Sequence, residues 1–270
     1  HEPRYGLPMV GRRDELAQIG RAIDRVQRGY GRIVGVTAEA GMGKSRLLAE
    51  AIRLAGQRGL QAYGGECQAY GTNSGYLVWQ NIWRGLFELD PAWPAEQQAQ
   101  ALEQQLGAID PALLARLPLL GAVLGLGLPD SELTQSLDAK LRKSSLEALL
   151  VDCLRAIARR SPLLLVLEDC HWLDPLSHDL LEVIGRAIVH MPVLLLIAYR
   201  PPQVQRMLAP RVAQLAHFGE LRLATLPDAE IEQLVASKLA QLYGETTDAP
   251  AELVRPISQR AQGNPFYIEE

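Results

Sequence analysis

The sequence predicts an α/β fold: a central parallel five-stranded sheet, a helical insertion and a small C-terminal helical subdomain. Three observations predict it. The short apolar runs Ile33–Val36, Leu163–Leu167 and Pro192–Ala198 alternate with amphipathic helical stretches. Uninterrupted apolar runs of this length read as parallel strands covered on both faces. A glycine-rich turn follows the first run at once and leads directly into a helical pattern. After Leu226-Pro227 only helical periodicity remains.

Each element can be justified in order. Leu16, Ile19, Ile23 and Val26 recur at helical spacing and predict a first amphipathic helix before Tyr30-Gly31. Ile33–Val36 is β-branched and predicts a buried strand. Leu47, Leu48, Ala51, Ile52 and Ala55 mark the helix after the glycine turn. Gln61–Cys67 reads as a second strand and Tyr76–Leu89 as an aromatic-rich helix. Ala95–Ala139 reads as an all-helical insertion with Leu102, Leu106 and Ile109 on one face. Leu146, Leu149, Leu150, Cys153, Leu154 and Ile157 form another stripe. Its helix stops at Arg159-Arg160-Ser161-Pro162, because the residue before proline is pushed out of helical conformation. Leu163–Leu167 ends in Glu168-Asp169, Pro192–Ala198 ends in Tyr199-Arg200-Pro201, and Glu220–Ala224 is expected to be the fifth strand. Asp228 then caps a helix carrying Ile231, Leu234, Val235 and Leu239, and a further helix ends near Gly263. The expected division is a core over 1–225, with the insertion over about 76–160, and the start of a helical lid over 226–270.

Composition narrows the function classes. The 270 residues carry a net charge of −4, and the sequence pI is about 5.8. An acidic balance argues against nucleic-acid binding by this fragment, because phosphate contacts need clustered Lys and Arg. The longest apolar stretch, Leu113–Leu128, is interrupted by Arg116 and Pro118 and is too short for a bilayer, so no membrane partner is expected. Cys67, Cys153 and Cys170 are odd in number and fit no disulfide or metal framework. Buried free thiols and a cytoplasmic location are the expectation. The chain starts at His1 and stops just after Phe266-Tyr267-Ile268-Glu269-Glu270, which reads as a piece of a longer protein.

The chemistry is concentrated at three strand ends. Ala38-Glu39-Ala40-Gly41-Met42-Gly43-Lys44-Ser45 fits the phosphate-loop pattern G-x-x-x-x-G-K-[ST], with Ala38 in the position of the first glycine. Backbone N–H groups of such a turn, with the helix N-terminus behind them, meet phosphate oxygens. Gly41 and Gly43 permit close approach and positive φ. Lys44 reaches the β- and γ-phosphates as a point charge, and Ser45 offers a hydroxyl to Mg²⁺. Glu168 and Asp169 emerge at the carboxyl edge of the sheet, where α/β sheets bind ligands. One carboxylate can hold Mg²⁺ and the other can orient or deprotonate a water; which does which is open. Arg200 leaves a strand on the same edge and can contact a γ-phosphate. His171 is given no proton-transfer role, and Asp174 before Pro175 reads as a helix cap.

Together these pieces resemble STAND-class and related AAA+ P-loop ATPases. Met9-Val10-Gly11-Arg12-Arg13-Asp14-Glu15-Leu16 resembles their N-terminal VGR motif, Thr37–Glu50 their Walker A loop, and Leu163–Leu181 their Walker B strand and following helix. Tyr199-Arg200-Pro201 resembles the sensor-1 position and Gly263-Asn264-Pro265-Phe266 the Gly-x-Pro motif. Many members have Asp where this chain has Glu168. The nearest resemblance is to ATPase modules of bacterial multidomain regulators that carry nucleotide-cyclase, Ser/Thr kinase or LuxR-type domains.

The resemblance implies ATP or ADP with Mg²⁺ held between core and lid. Nucleotide contacts fall to Val10, Gly11 and Arg12, to the loop from Glu39 and Ala40 through Arg46, to Arg200 and to Pro265, with Pro265 and the residues around Val10 at the adenine. For Pro265 the residues themselves leave two readings open: a contact to the base, or a proline that only stops a helix. The implied activity is a slow ATPase serving as a nucleotide-dependent switch in signal transduction. Its partners would be the other domains of a longer parent protein, with a homo-oligomer as a further option. The alternatives are a DNA-associated initiator or loader ATPase and a nucleotide-binding scaffold without turnover.

Overall fold

The computed structural model describes residues 9–67, 75–201, 210–243, 251–261 and 263–269. Helix α1 spans Arg13–Gln27, strand β1 Arg32–Thr37, helix α2 Lys44–Gln57 and strand β2 Gln61–Glu66. Then come α3 (Leu77–Leu86), α4 (Ala95–Ile109), a 3₁₀ segment over Pro111–Leu120, and the short α5 (Gly121–Leu124) and α6 (Glu132–Gln135). The long α7 (Ala139–Arg160) leads into β3 (Leu163–Glu168), α8 (Pro175–Ala187), β4 (Val193–Tyr199) and β5 (Phe218–Arg222). The last elements are α9 (Asp228–Tyr243), α10 (Ala251–Ala261) and α11 (Phe266–Glu269). The insertion expected to be all helix over 95–139 is helical only in part: 125–131 and 136–138 are irregular, and a 3₁₀ run replaces regular α-helix where Pro111 and Pro118 fall.

All five strands are parallel, in the order β2-β3-β4-β1-β5. Every residue of β4 is buried, as are the first five of β3. These runs are apolar throughout because helices cover both faces. One layer packs α3, α7, α8 and the inserted helices around Trp79, Trp83, Phe87, Leu102 and Leu150. The opposite layer packs α1 and α2 through Ile19, Ile23, Leu47 and Leu48. A third, smaller cluster joins Val10 and Leu226 to Ile231, Leu234 and Val254 of the C-terminal helices.

Two expectations need correction. The fifth strand is Phe218–Arg222, two residues earlier than Glu220–Ala224. Its register is set by the ladder to β1, which starts at the Ile33 N–H bond to the His217 carbonyl and ends at the Leu223 N–H bond to Thr37. Apolar content does not mark it, since Gly219, Glu220 and Arg222 are exposed at the sheet edge. Asp228 is the first residue of α9 rather than its cap, and the Pro227 carbonyl accepts the Glu230 and Ile231 N–H groups.

Cys67, Cys153 and Cys170 are free and buried, as expected. None of the described helices is long and apolar enough to cross a membrane. Asp174 caps α8: its side chain accepts the Ser177 N–H at 2.9 Å, and Pro175 follows at the first helical position. Asp174→Ala should therefore cost about 1 kcal/mol of stability. A lower thermal midpoint is the expected result; an unchanged midpoint would refute the cap assignment.

Candidate functional site

The site grows from the end of β1. After Thr37 the chain turns through Ala38–Gly43 and enters α2 at Lys44. Gly41 has φ +79° and Gly43 φ +83°. Both values are left-handed, which glycine adopts without a Cβ penalty. Alternating right- and left-handed residues turn successive N–H groups toward one concave side. Gly43 also caps α2, whose first turn has no acidic residue, so the positive helix end faces the loop unneutralised. Ala38 is buried, so the glycine replaced there is one whose side the core fills.

A cleft of about 290 Å³ lies over this loop. The loop lines it from Ala40 to Arg46. Asp169 comes to it from the end of β3 and Arg200 from the end of β4. Met9, Val10 and Arg12 line it from the N-terminal segment, and Leu226, Leu234, Pro265 and Phe266 from the C-terminal helices. The lining thus combines charged and apolar groups, a set suited to a ligand with an anionic part and a flat apolar part.

The charged groups are ordered by local bonds. Lys44 Nζ donates to the carbonyls of Ala38 and Glu39, each at 2.8 Å. An ammonium has three donors, so one remains for the cleft. Burial holds the Lys44 pKa below its ordinary value and the Arg200 cation pushes the same way, while Asp169 and Glu39 oppose them. An anion in the cleft would relieve that mutual repulsion. Burial holds the Glu168 carboxylate above the usual glutamate range, with Glu66 and Asp169 adding to the rise, while the nearby Ser45 hydroxyl opposes it. Asp169 has φ +51°, a left-handed turn that breaks the strand and swings its side chain away from the line of Glu168. His171 is buried beside it, with Nδ1 3.7 Å from Asp169 Oδ1. Burial lowers its pKa, so the ring is a neutral wall at physiological pH.

Most of the predicted site residues meet here: Val10, Arg12, Ala40–Arg46, Asp169, Arg200 and Pro265 all line the cleft. Three do not. Glu168, at the end of β3, is half-buried near the Ser45 hydroxyl. Glu39 presents its carbonyl to Lys44. Gly11 has φ +70°, which side chains rarely adopt, and lies against the Glu230 carboxylate of α9. Arg12 lines the cleft, but its guanidinium is committed elsewhere. It donates to the Ala224 carbonyl at 2.6 Å and the Met42 carbonyl at 3.3 Å, and pairs with Glu15 at 3.2 Å. It braces the loop against the chain leaving β5. Met9, Leu226, Leu234 and Phe266 were missed; they are ordinary apolar residues, and no pattern separates them from core positions.

Residues 8–197 match the AAA ATPase domain family. An uncharacterised protein of Rhizobium meliloti (strain 1021) is 31% identical over 286 residues, covering 98% of this chain and 27% of that protein. The chain thus spans about a quarter of the length of the curated relative it matches. The fold aligns with Cdc6p from Pyrobaculum aerophilum at TM-score 0.51 and 16% identity, covering 98% of this chain and 66% of that one. A STAND protein with a tetratricopeptide-repeat sensor from Pyrococcus horikoshii aligns at TM-score 0.49 and 15% identity, over 97% of this chain and 29% of that one. With Walker-type loop, parallel sheet and family match in agreement, this chain belongs to the AAA ATPase domain family and is an AAA+ P-loop ATPase module.

Proposed function

We propose that the chain binds ATP and ADP with Mg²⁺, hydrolyses ATP slowly, and serves as a nucleotide-controlled switch within a larger protein. One observation carries this reading: the phosphate loop and the C-terminal helices line the same cleft, which gathers Lys44, Asp169 and Arg200 with Leu226, Leu234 and Pro265. A nucleotide filling it bridges core and lid, so losing the γ-phosphate removes contacts on one side only and shifts the balance between lid positions. The core of 1–225 and the lid from 226 act here as two bodies about one ligand.

The residues divide the work. Loop N–H groups and Lys44 hold the β- and γ-phosphates, and Arg200 reports on the γ-phosphate. Val10 and Pro265 flank the base, while Gly11 and Arg12 fix the segment that presents Val10. Asp169 orients and deprotonates the attacking water. Ser45 and Glu168 suit Mg²⁺, a hard cation that prefers oxygen and keeps several waters. No group of three or more His, Cys, Asp or Glu among the described residues could hold a metal by itself, which fits an ion shared with phosphates. Bound there, Mg²⁺ would neutralise charge developing on the phosphates.

Titration calorimetry with ATP and ADP, paired with phosphate release followed over hours, tests the reading; absence of ADP binding ends it. Glu168→Gln should weaken the Mg²⁺-dependent part of ATP affinity by about 10- to 100-fold. The pH dependence has a definite sign. Glu168 must be ionised to accept from a metal-bound water, and burial raises its pKa. Acidification should therefore erode Mg²⁺-dependent binding above the ordinary glutamate range, and Glu168→Gln should flatten that dependence. An unchanged profile in the variant would move the metal role to Asp169.

A further inference from the structure

The turn between α10 and α11 meets the phosphate loop through Asn264. Asn264 Nδ2 donates to the Ala40 carbonyl at 3.3 Å. Its Oδ1 accepts the Phe266 N–H at 3.1 Å, which fixes the side chain within its own turn. The turn is held from behind as well. Gly263 has φ +77°, its carbonyl accepts the Leu226 N–H at 2.9 Å, and the Asn264 N–H bonds Ala261. The opposing surface is Gly41. A Cβ there would stand 2.7 Å from Asn264 Oδ1 and 2.8 Å from Phe266 Cβ. Gly41 is thus needed twice, for its left-handed φ and to admit Asn264.

The consequence follows from peptide geometry. No peptide bond in the described chain is cis, and in a trans peptide the C=O and the next N–H point in opposite directions. Whatever holds the Ala40 carbonyl therefore aims the Gly41 N–H. Asn264 draws the carbonyl toward the turn, so the Gly41 N–H is directed away from it, and Gly41 itself lines the cleft. We propose that Asn264 is a positioning residue for the phosphates: by holding the Ala40 carbonyl it turns the Gly41 N–H toward the nucleotide and so makes phosphate affinity depend on lid docking. This rests on the nucleotide reading above and deepens it. Pro265 and its apolar neighbours would tie the lid to the base, whereas Asn264 ties it to the phosphates. By linkage, a phosphate bound at the loop also favours the docked lid.

The test compares ligands with and without phosphates on the full chain. Asn264→Ala removes the bond to Ala40. Asn264→Ser keeps a neutral oxygen for the local turn but is too short to reach the loop. In both variants, calorimetric ADP affinity should fall about five- to tenfold, as for one net hydrogen bond, while adenosine affinity stays within about twofold. Without nucleotide, hydrogen exchange of the amides over 38–45 should speed up. Equal weakening of ADP and adenosine would mean that Asn264 merely packs the lid, and unchanged ADP affinity would mean that the contact orients nothing; either overturns the proposal. If the unsubstituted protein binds no ADP, the nucleotide reading itself fails. Loop exchange then decides alone whether Asn264 orders the loop, and unchanged exchange overturns that too.

Discussion

Lys44→Ala should weaken ATP and ADP binding by about 1.5–3 kcal/mol, roughly 10- to 150-fold, as expected for a lost charge-assisted hydrogen bond. The side chain has one donor left for the cleft beyond its bonds to Ala38 and Glu39. It also adds its positive charge to that of Arg200 beside it. The variant should fold normally, because Lys44 is held with its charged form disfavoured by burial and its removal relieves that penalty. Calorimetry at fixed Mg²⁺ with a thermal melt alongside gives the answer. Wild-type affinity in a folded Lys44→Ala protein would sink the assignment of the loop.

Asp169→Asn should lower turnover at saturating ATP by about 10²- to 10⁴-fold, the usual contribution of a positioned general base, while ATP affinity changes little. A base acts chiefly in the transition state, so its loss appears in kcat rather than in ground-state binding. Asn is a clean probe because Asp169 sits at φ +51°, a conformation that Asn also tolerates well. The two carboxylates differ in placement: Asp169 lines the cleft with Lys44 and Arg200, and Glu168 is not among its lining residues. If Asp169→Asn binds poorly yet turns over normally when saturated, their roles are exchanged.

Much of this molecule is legible locally. Leu163–Leu167 and Val193–Ala198 announce buried strands because burial on both faces demands apolar side chains at every position. The helical stripe from Leu146 to Ile157 shows plainly because one face meets the core. The phosphate loop is contiguous, so its glycines, Lys44 and Ser45 can be recognised without knowing what lies across from them. β5 was misplaced because an edge strand obeys its neighbour's ladder rather than its own hydrophobicity.

What the sequence determined by itself was therefore the set of elements, the Walker-type loop, and the carboxylates and arginine that leave the ends of β3 and β4. Adjacent residues carry those signals, through backbone conformation and periodic burial. Tertiary structure alone decided the rest. It set β4 between β1 and β3 and separated Asp169 from Glu168. It spent the Arg12 guanidinium on two carbonyls. Leu226, Leu234 and Phe266 were brought over the loop, and Asn264 was seated on Ala40 across 224 positions of chain. Such contacts join residues with no common period or motif, and only the packing of one element against another creates them.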